Sequence, residues 1–180
     1  LDLRNWTNGN EQAKKRFADE VVKTCKTAGF FYVTGHGIPQ QTIDEVYSAS
    51  QDFHDQGLEF KSKYHIASSR HHRGWVPTSE VGEFEKDGDR HKVFYESFDL
   101  SFEISADDAR AHKGYGLVGP NVWPDLADFR SKVSHYYDSV YSLGRTLLSV
   151  FERGLGMSPK TLLRNVTAPP SQLRLLKYFA

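Results

Sequence analysis

The feature that most restricts this 180-residue chain is a long apolar stripe near its C-terminal end. Leu126, Phe129, Val133, Tyr136, Val140, Leu143, Leu147 and Phe151 step by three and four. That spacing keeps side chains on one face of an α-helix. It predicts a helix over about 125–154, with Asp125 as N-cap after Pro124 and with Gly154 and Gly156 ending it.

Other segments read less strongly. Ala13, Phe17, Val21, Cys25 and Ala28 predict a helix over 11–28, stopped by Gly29. Phe30 to Thr34 is a compact β-prone run, broken by Gly35-His36-Gly37. Ile43, Val46, Tyr47 and Phe53 predict a second helix over about 40–56, and a short one follows near 58–64. Residues 65–91 read as polar loop around a short strand at Gly74-Trp75-Val76. A strand is expected over 92–100, a loop over 103–124 and a short helix over about 159–165. Gln172 to Phe179 reads as a strand with nothing after it, and its backbone groups need a partner. The expectation is a single domain fragment, 1–180, cut in mid-strand, with its partner strand downstream and no complete catalytic site.

Twenty-three basic and 23 acidic residues give zero formal net charge, against the basic excess of a nucleic-acid binder. No apolar run approaches the roughly 20 residues of a membrane helix. Leu1-Asp2-Leu3-Arg4 lacks the basic-then-apolar pattern of a signal peptide. The one cysteine, Cys25, reads as a buried structural thiol. A cytoplasmic protein is expected, bound to neither nucleic acid nor membrane.

Motifs for chemistry are sparse. Gly114, Gly116 and Gly119 fit G-x-G-x-x-G, but no strand precedes them and Pro120 follows, so the match reads as chance. Among eight histidines the only close pair is His71-His72, and neighbours on a strand point apart, so no metal ligand is assigned. His36, between two glycines, reads as a structural hydrogen-bonding residue. Arg73-Gly74-Trp75 could clamp a carboxylate through the guanidinium, or Arg73 could be a solvated surface residue. On the last strand Arg174, Leu176 and Tyr178 share one face, which could line a polar pocket or meet solvent.

The order of several short runs resembles a known family. They are Leu1-Asp2-Leu3, the run from Ala28-Gly29-Phe30 through Gly35-His36-Gly37-Ile38, Arg73-Gly74-Trp75, Glu96-Ser97-Phe98-Asp99, Gly119-Pro120-Asn121-Val122-Trp123-Pro124, and Leu173 to Tyr178. Together they resemble the N-terminal part of the iron(II)- and 2-oxoglutarate-dependent oxygenases related to isopenicillin N synthase. The resemblance implies a mixed α and β fold, the helix/strand region of a double-stranded β-helix or jelly roll, with the 125–154 helix as its long element. It implies Fe(II) and 2-oxoglutarate, and oxidation of a small-molecule substrate by hydroxylation, desaturation or cyclisation. The family's iron ligands lie beyond the strand ending at Phe179, so none is carried over. Tyr178 aligns with a tyrosine that contacts 2-oxoglutarate or substrate, and Arg174 with an often basic position on the same inward face. Arg73 and Trp75 fall where several members contact substrate. Two alternatives stand beside this reading: an iron-dependent oxidase of the same fold without 2-oxoglutarate, and a non-enzymatic partner-binding module.

Overall fold

The computed structural model describes the backbone of residues 1–78, 83–86, 89–92, 94–113, 116–167 and 169–179, and their side chains except those of 83–86 and 89–92. Its helices are α1 (Arg4–Thr7), α2 (Glu11–Thr27), α3 (Gln40–His54), α4 (Leu58–Ser62), α5 (Ala109–His112) and α6 (Phe129–Gly154). Its strands are β1 (Gly74–Val76), β2 (Glu83–Lys86), β3 (Asp89–Lys92), β4 (Tyr95–Ser101) and β5 (Gln172–Tyr178). These fall into two units, residues 1–43 with 135–167 and residues 44–134 with 168–180.

In the first unit, Asn10 caps α2 by accepting from the Ala13 N–H at 2.9 Å. Phe17, Ala18 and Val21 then bury one face of α2 against Leu3 and Val150, with Leu143, Leu147 and Phe151 packed around them. Gly154 is required where α6 meets α2, because a Cβ there would overlap the Ala18 carbonyl oxygen. Cys25 is half-buried against the same cluster. Phe30 to Thr34 does not become a strand. It runs extended beside the N-terminus through one parallel bridge, Asp2 to Thr34, with Phe31 and Val33 turned inward. Residues 159–165 close as turns and a 3₁₀ turn over Leu163–Asn165 rather than as an α-helix. The buried Glu152 carboxylate accepts from the backbone N–H groups of Lys160, Leu162 and Leu163 and organises that turn.

The second unit is built on a three-stranded antiparallel sheet in the order β1-β4-β5. Phe98 of β4 meets Phe53 of α3 edge-on at 4.7 Å and Phe129 of α6 at 5.5 Å. All three rings are buried. Each contributes on the order of 1.5–3 kcal/mol of apolar burial. A separate hairpin joins β2 to β3 inside the stretch expected as loop.

Two further expectations need correction. Helix α6 starts at Phe129, four residues after the expected Asp125 cap, because Asp128 has φ 58° and breaks the helical path. The partner of the last strand lies upstream: β5 pairs with β4 along its whole length, from Tyr95↔Tyr178 to Ser101↔Gln172. Val93 of the expected strand, Gly114 and Ala180 lie outside the described residues.

Candidate functional site

The β4–β5 register sorts side chains onto two faces, because residues directly opposed in an antiparallel pair share a face. Glu96, Phe98 and Leu100 with Lys177, Leu175 and Leu173 form one of them. Tyr95, Ser97, Asp99 and Ser101 with Tyr178, Leu176, Arg174 and Gln172 form the other. The second set is mostly polar, and it centres on Asp99.

The Asp99 carboxylate is 1% exposed and accepts four hydrogen bonds. Ser97 Oγ donates at 2.9 Å, Gln172 Nε2 at 2.9 Å, and Arg174 donates through Nε at 2.9 Å and Nη2 at 2.8 Å. The fork-on-fork contact fixes the guanidinium in a plane. It also raises the Arg174 pKa, the hydrogen bond to Asp99 being the main cause and the Tyr95 phenol a smaller one. The Tyr95 and Tyr178 rings lie 5.3 Å apart, with Tyr178 exposed. The result is a flat, hydroxyl-bearing surface whose one cation is already balanced.

Loops finish the edge of this face. Asn121 accepts from the Ser101 N–H at 2.9 Å and donates to the Ser101 carbonyl at 2.7 Å, continuing the ladder past the end of β4 with a side chain. Its Nδ2 also donates to Glu103, as does the Trp123 indole at 3.2 Å. The Gly119 to Pro124 motif thus has a structural use: its Asn is a strand mimic.

Of the expected site residues, the structure brings Arg174 and Tyr178 to the polar face. Arg73 and Trp75 go elsewhere. Arg73 is 2% exposed and donates to the backbone carbonyls of His71, His72 and Leu117, so it is neither a surface residue nor an open clamp. Gly74 has φ 116°, and a Cβ there would overlap the Tyr64 carbonyl oxygen, which accepts from the Trp75 N–H at 2.7 Å. That close approach turns Trp75 inward, 3% exposed, with its indole N–H on Glu96 at 2.9 Å. Both side chains are turned into the packed interior of the described residues. His36 keeps its expected structural part, its Nδ1 accepting from the Ile38 N–H at 3.1 Å. Gly116 and Gly119 lie in turn or bend backbone with no helix starting at Gly119, so they do not form a dinucleotide turn.

Behind the sheet sits a cluster centred on Glu96, to which the sequence reading assigns no role. Buried Glu96 accepts from Lys61 Nζ at 2.7 and 2.9 Å, from Trp75, and faces His54 Nδ1 at 2.8 Å. Burial alone would raise its pKa, but the bonds from Lys61, His54 and Trp75 outweigh it and hold the carboxyl below its ordinary value. The signal was only the alternation of β4 itself, whose odd and even positions each carry one carboxylate. Among the described residues no group of three or more His, Cys, Asp or Glu side chains could hold a metal ion. These residues therefore do not fit an iron site. None of the described helices is long and apolar enough to cross a membrane.

Comparison with known proteins gives the context. Residues 1–126 match the family described as the N-terminal region of the non-haem dioxygenase in morphine synthesis. A 2-oxoglutarate-dependent dioxygenase of Penicillium crustosum, traH, is 30% identical over 99% of this chain and 54% of its own length. Another from Talaromyces stipitatus, tropC, is 30% identical over 99% of this chain and 57% of its own. The chain thus spans about half the length of the curated relatives it matches. In structure it is similar to a putative 2OG-Fe(II) oxygenase family protein of Caulobacter crescentus, with TM-score 0.81 and 23% identity, over 98% of this chain and 54% of that one. It is also similar to Neurospora crassa T7H in complex with alpha-KG, with TM-score 0.74 and 20% identity, over 99% and 50%. The match over residues 1–126 covers most of the chain, and the chain belongs to the non-haem dioxygenase family, whose N-terminal region it carries.

Proposed function

We propose that this chain is the N-terminal part of an iron(II)- and 2-oxoglutarate-dependent oxygenase that oxidises a small molecule in the cytoplasm. In this reading the iron ligands lie outside residues 1–180, in the half of the double-stranded β-helix that the chain does not include. The observation that carries it is the polar β4–β5 face, with Arg174 and Tyr178 on that one face at i and i+4, in a chain of this family.

Iron and 2-oxoglutarate would supply the oxidising chemistry when bound. The residues described here would bind and orient. The Tyr178 hydroxyl, in an exposed residue beside Tyr95, would donate to a carboxylate or carbonyl oxygen of the cosubstrate. Arg174 keeps 43% of its side chain exposed, so it would add directional N–H groups while Asp99 holds its guanidinium flat. Leu176, between them on the same face and 41% exposed, offers apolar contact to substrate.

The test is turnover by the intact protein with Fe(II), oxygen and 2-oxoglutarate, following succinate release. Iron-dependent succinate formation is expected, with Tyr178→Phe raising the KM for 2-oxoglutarate several-fold. Oxygen consumption that needs iron but leaves 2-oxoglutarate untouched would overturn this reading in favour of the oxidase.

A further inference from the structure

The buried cluster behind the sheet has no part in that chemistry, yet it touches the strand that carries Arg174 and Tyr178. Both ring nitrogens of His54 face acceptors. Nδ1 lies 2.8 Å from Glu96 Oε1, and Nε2 lies 3.2 Å from the Leu175 carbonyl oxygen. A neutral imidazole has one N–H to give. With that proton on Nδ1, toward the carboxylate, the Nε2 lone pair opposes the Leu175 oxygen. A second proton converts that opposition into a hydrogen bond donated to β5.

We propose that His54 is a positioning residue whose protonation state sets how firmly β5, and with it Arg174 and Tyr178, is tied to α3.

The geometry leaves few competing routes. Leu175 is the neighbour of Arg174 in the chain and lies on the opposite face, 7% exposed. His54 ends α3 and is 5% exposed, against the edge of the Phe53 ring at 5.3 Å. The charged groups around it come from every packed element. Glu96 of β4 and Lys61 of α4 share its Nδ1 side, and Lys61 Nζ also donates to the His54 carbonyl at 3.2 Å. Asp55, next to it in the chain, pairs with Lys177 of β5 at 2.7 Å. Trp75 of β1 contributes a neutral donor to Glu96. Glu96 and the Leu175 oxygen favour the second proton, while burial and Lys61 oppose it. Burial is the largest of these and holds the imidazole below its ordinary value. The tether is therefore single-ended near neutral pH and gains its second end in acid. The proposal concerns the strand alone, and it stands or falls independently of the oxygenase reading.

Nuclear magnetic resonance on the intact, isotope-labelled protein tests it without any activity assay. The His54 ring nitrogens and the Leu175 carbonyl carbon are followed through a pH titration. One shared midpoint is expected, below the ordinary imidazole value, with Nε2 as the nitrogen that takes the proton. His54→Gln should abolish the Leu175 titration. Glu96→Gln, which removes the anion, should lower both midpoints together, and it serves if His54→Gln does not fold. A Leu175 carbonyl that is flat while His54 titrates overturns the proposal. So does a titration that survives His54→Gln, or an Nε2 that stays unprotonated down to acid unfolding.

Discussion

Glu96 and Asp99 stand three residues apart on β4 and turn to opposite faces of the same sheet. Both are buried carboxylates, each with a basic side chain 2.7–2.8 Å away. The cations differ. The Lys61 side chain is 10% exposed, the Arg174 side chain 43%. Glu96 is thus sealed among Lys61, His54 and Trp75, whereas Asp99 is a buried anchor under a cation that still reaches outward. A sealed pair serves the fold, because neither charge can meet a ligand. A half-open pair can serve both, and only its outer member is available to a bound molecule.

The largest expected difference comes from removing each cation. Lys61→Met should cost about 3–5 kcal/mol, since it strands a buried carboxylate. Arg174→Met should cost only about 1–2 kcal/mol, because Ser97 and Gln172 still donate to Asp99 and solvent is near. Denaturant midpoints of the two variants in the intact protein decide this. Equal losses would erase the distinction between the faces.

Acid should act mainly through the sealed side. Glu96 sits below its ordinary value of 4.5 when folded, so its contribution is present above that pH and is lost as pH falls through the folded value. His54 sits below its ordinary 6.5, so the unfolded chain takes up its proton first, and stability also declines as pH drops beneath 6.5. Both signs agree. Unfolding midpoints should fall steadily from about pH 6.5 downward, and Glu96→Gln should flatten the part of that slope below about pH 4.5. A variant that keeps the full acid slope would show that other carboxylates cause it.

A smaller effect is expected at the rim. Asn121→Ala removes the two bonds that extend β4 past Ser101 and should cost about 1–2 kcal/mol, read as a lower thermal midpoint. Asn121→Asp should cost at least as much as Asn121→Ala, because it sets a second carboxylate against Glu103 and the Ser101 carbonyl oxygen.

How much of this the sequence shows depends on range. The α6 stripe and the β5 alternation are local, and periodicity finds both. The start of α6 is not local in that sense, since a left-handed Asp128 leaves Leu126 outside the helix although it fits the spacing. Phe30 to Thr34 has strand composition, but among the described residues its bridge to Asp2 joins only a short run at the N-terminus. The β2–β3 pair hides in polar sequence. The two carboxylate clusters depend on register, with Asp99 meeting Arg174 75 positions away. Nothing near Asp99 in the chain announces that partner. The same reasoning explains Arg73 and Trp75: residue type suggested a ligand, and only the close approach at Gly74 shows them turned inward.

The smallest stability effect should come from the outermost residue of the open face. Tyr178 is 69% exposed, and its ring meets Tyr95 at 5.3 Å. Tyr178→Phe keeps that ring and removes a hydroxyl that faces solvent, so stability should change by less than about 0.5 kcal/mol. Trp75→Phe, the matching loss of one donor on the sealed face, leaves Glu96 Oε2 short of a bond and should cost about 1–3 kcal/mol. The pair of variants divides the faces by function as well as by energy. Tyr178→Phe should weaken 2-oxoglutarate binding at unchanged melting temperature, while Trp75→Phe should lower the melting temperature with cosubstrate affinity intact. If the two swap these signatures, the open face is the structural one and the proposed site is misplaced.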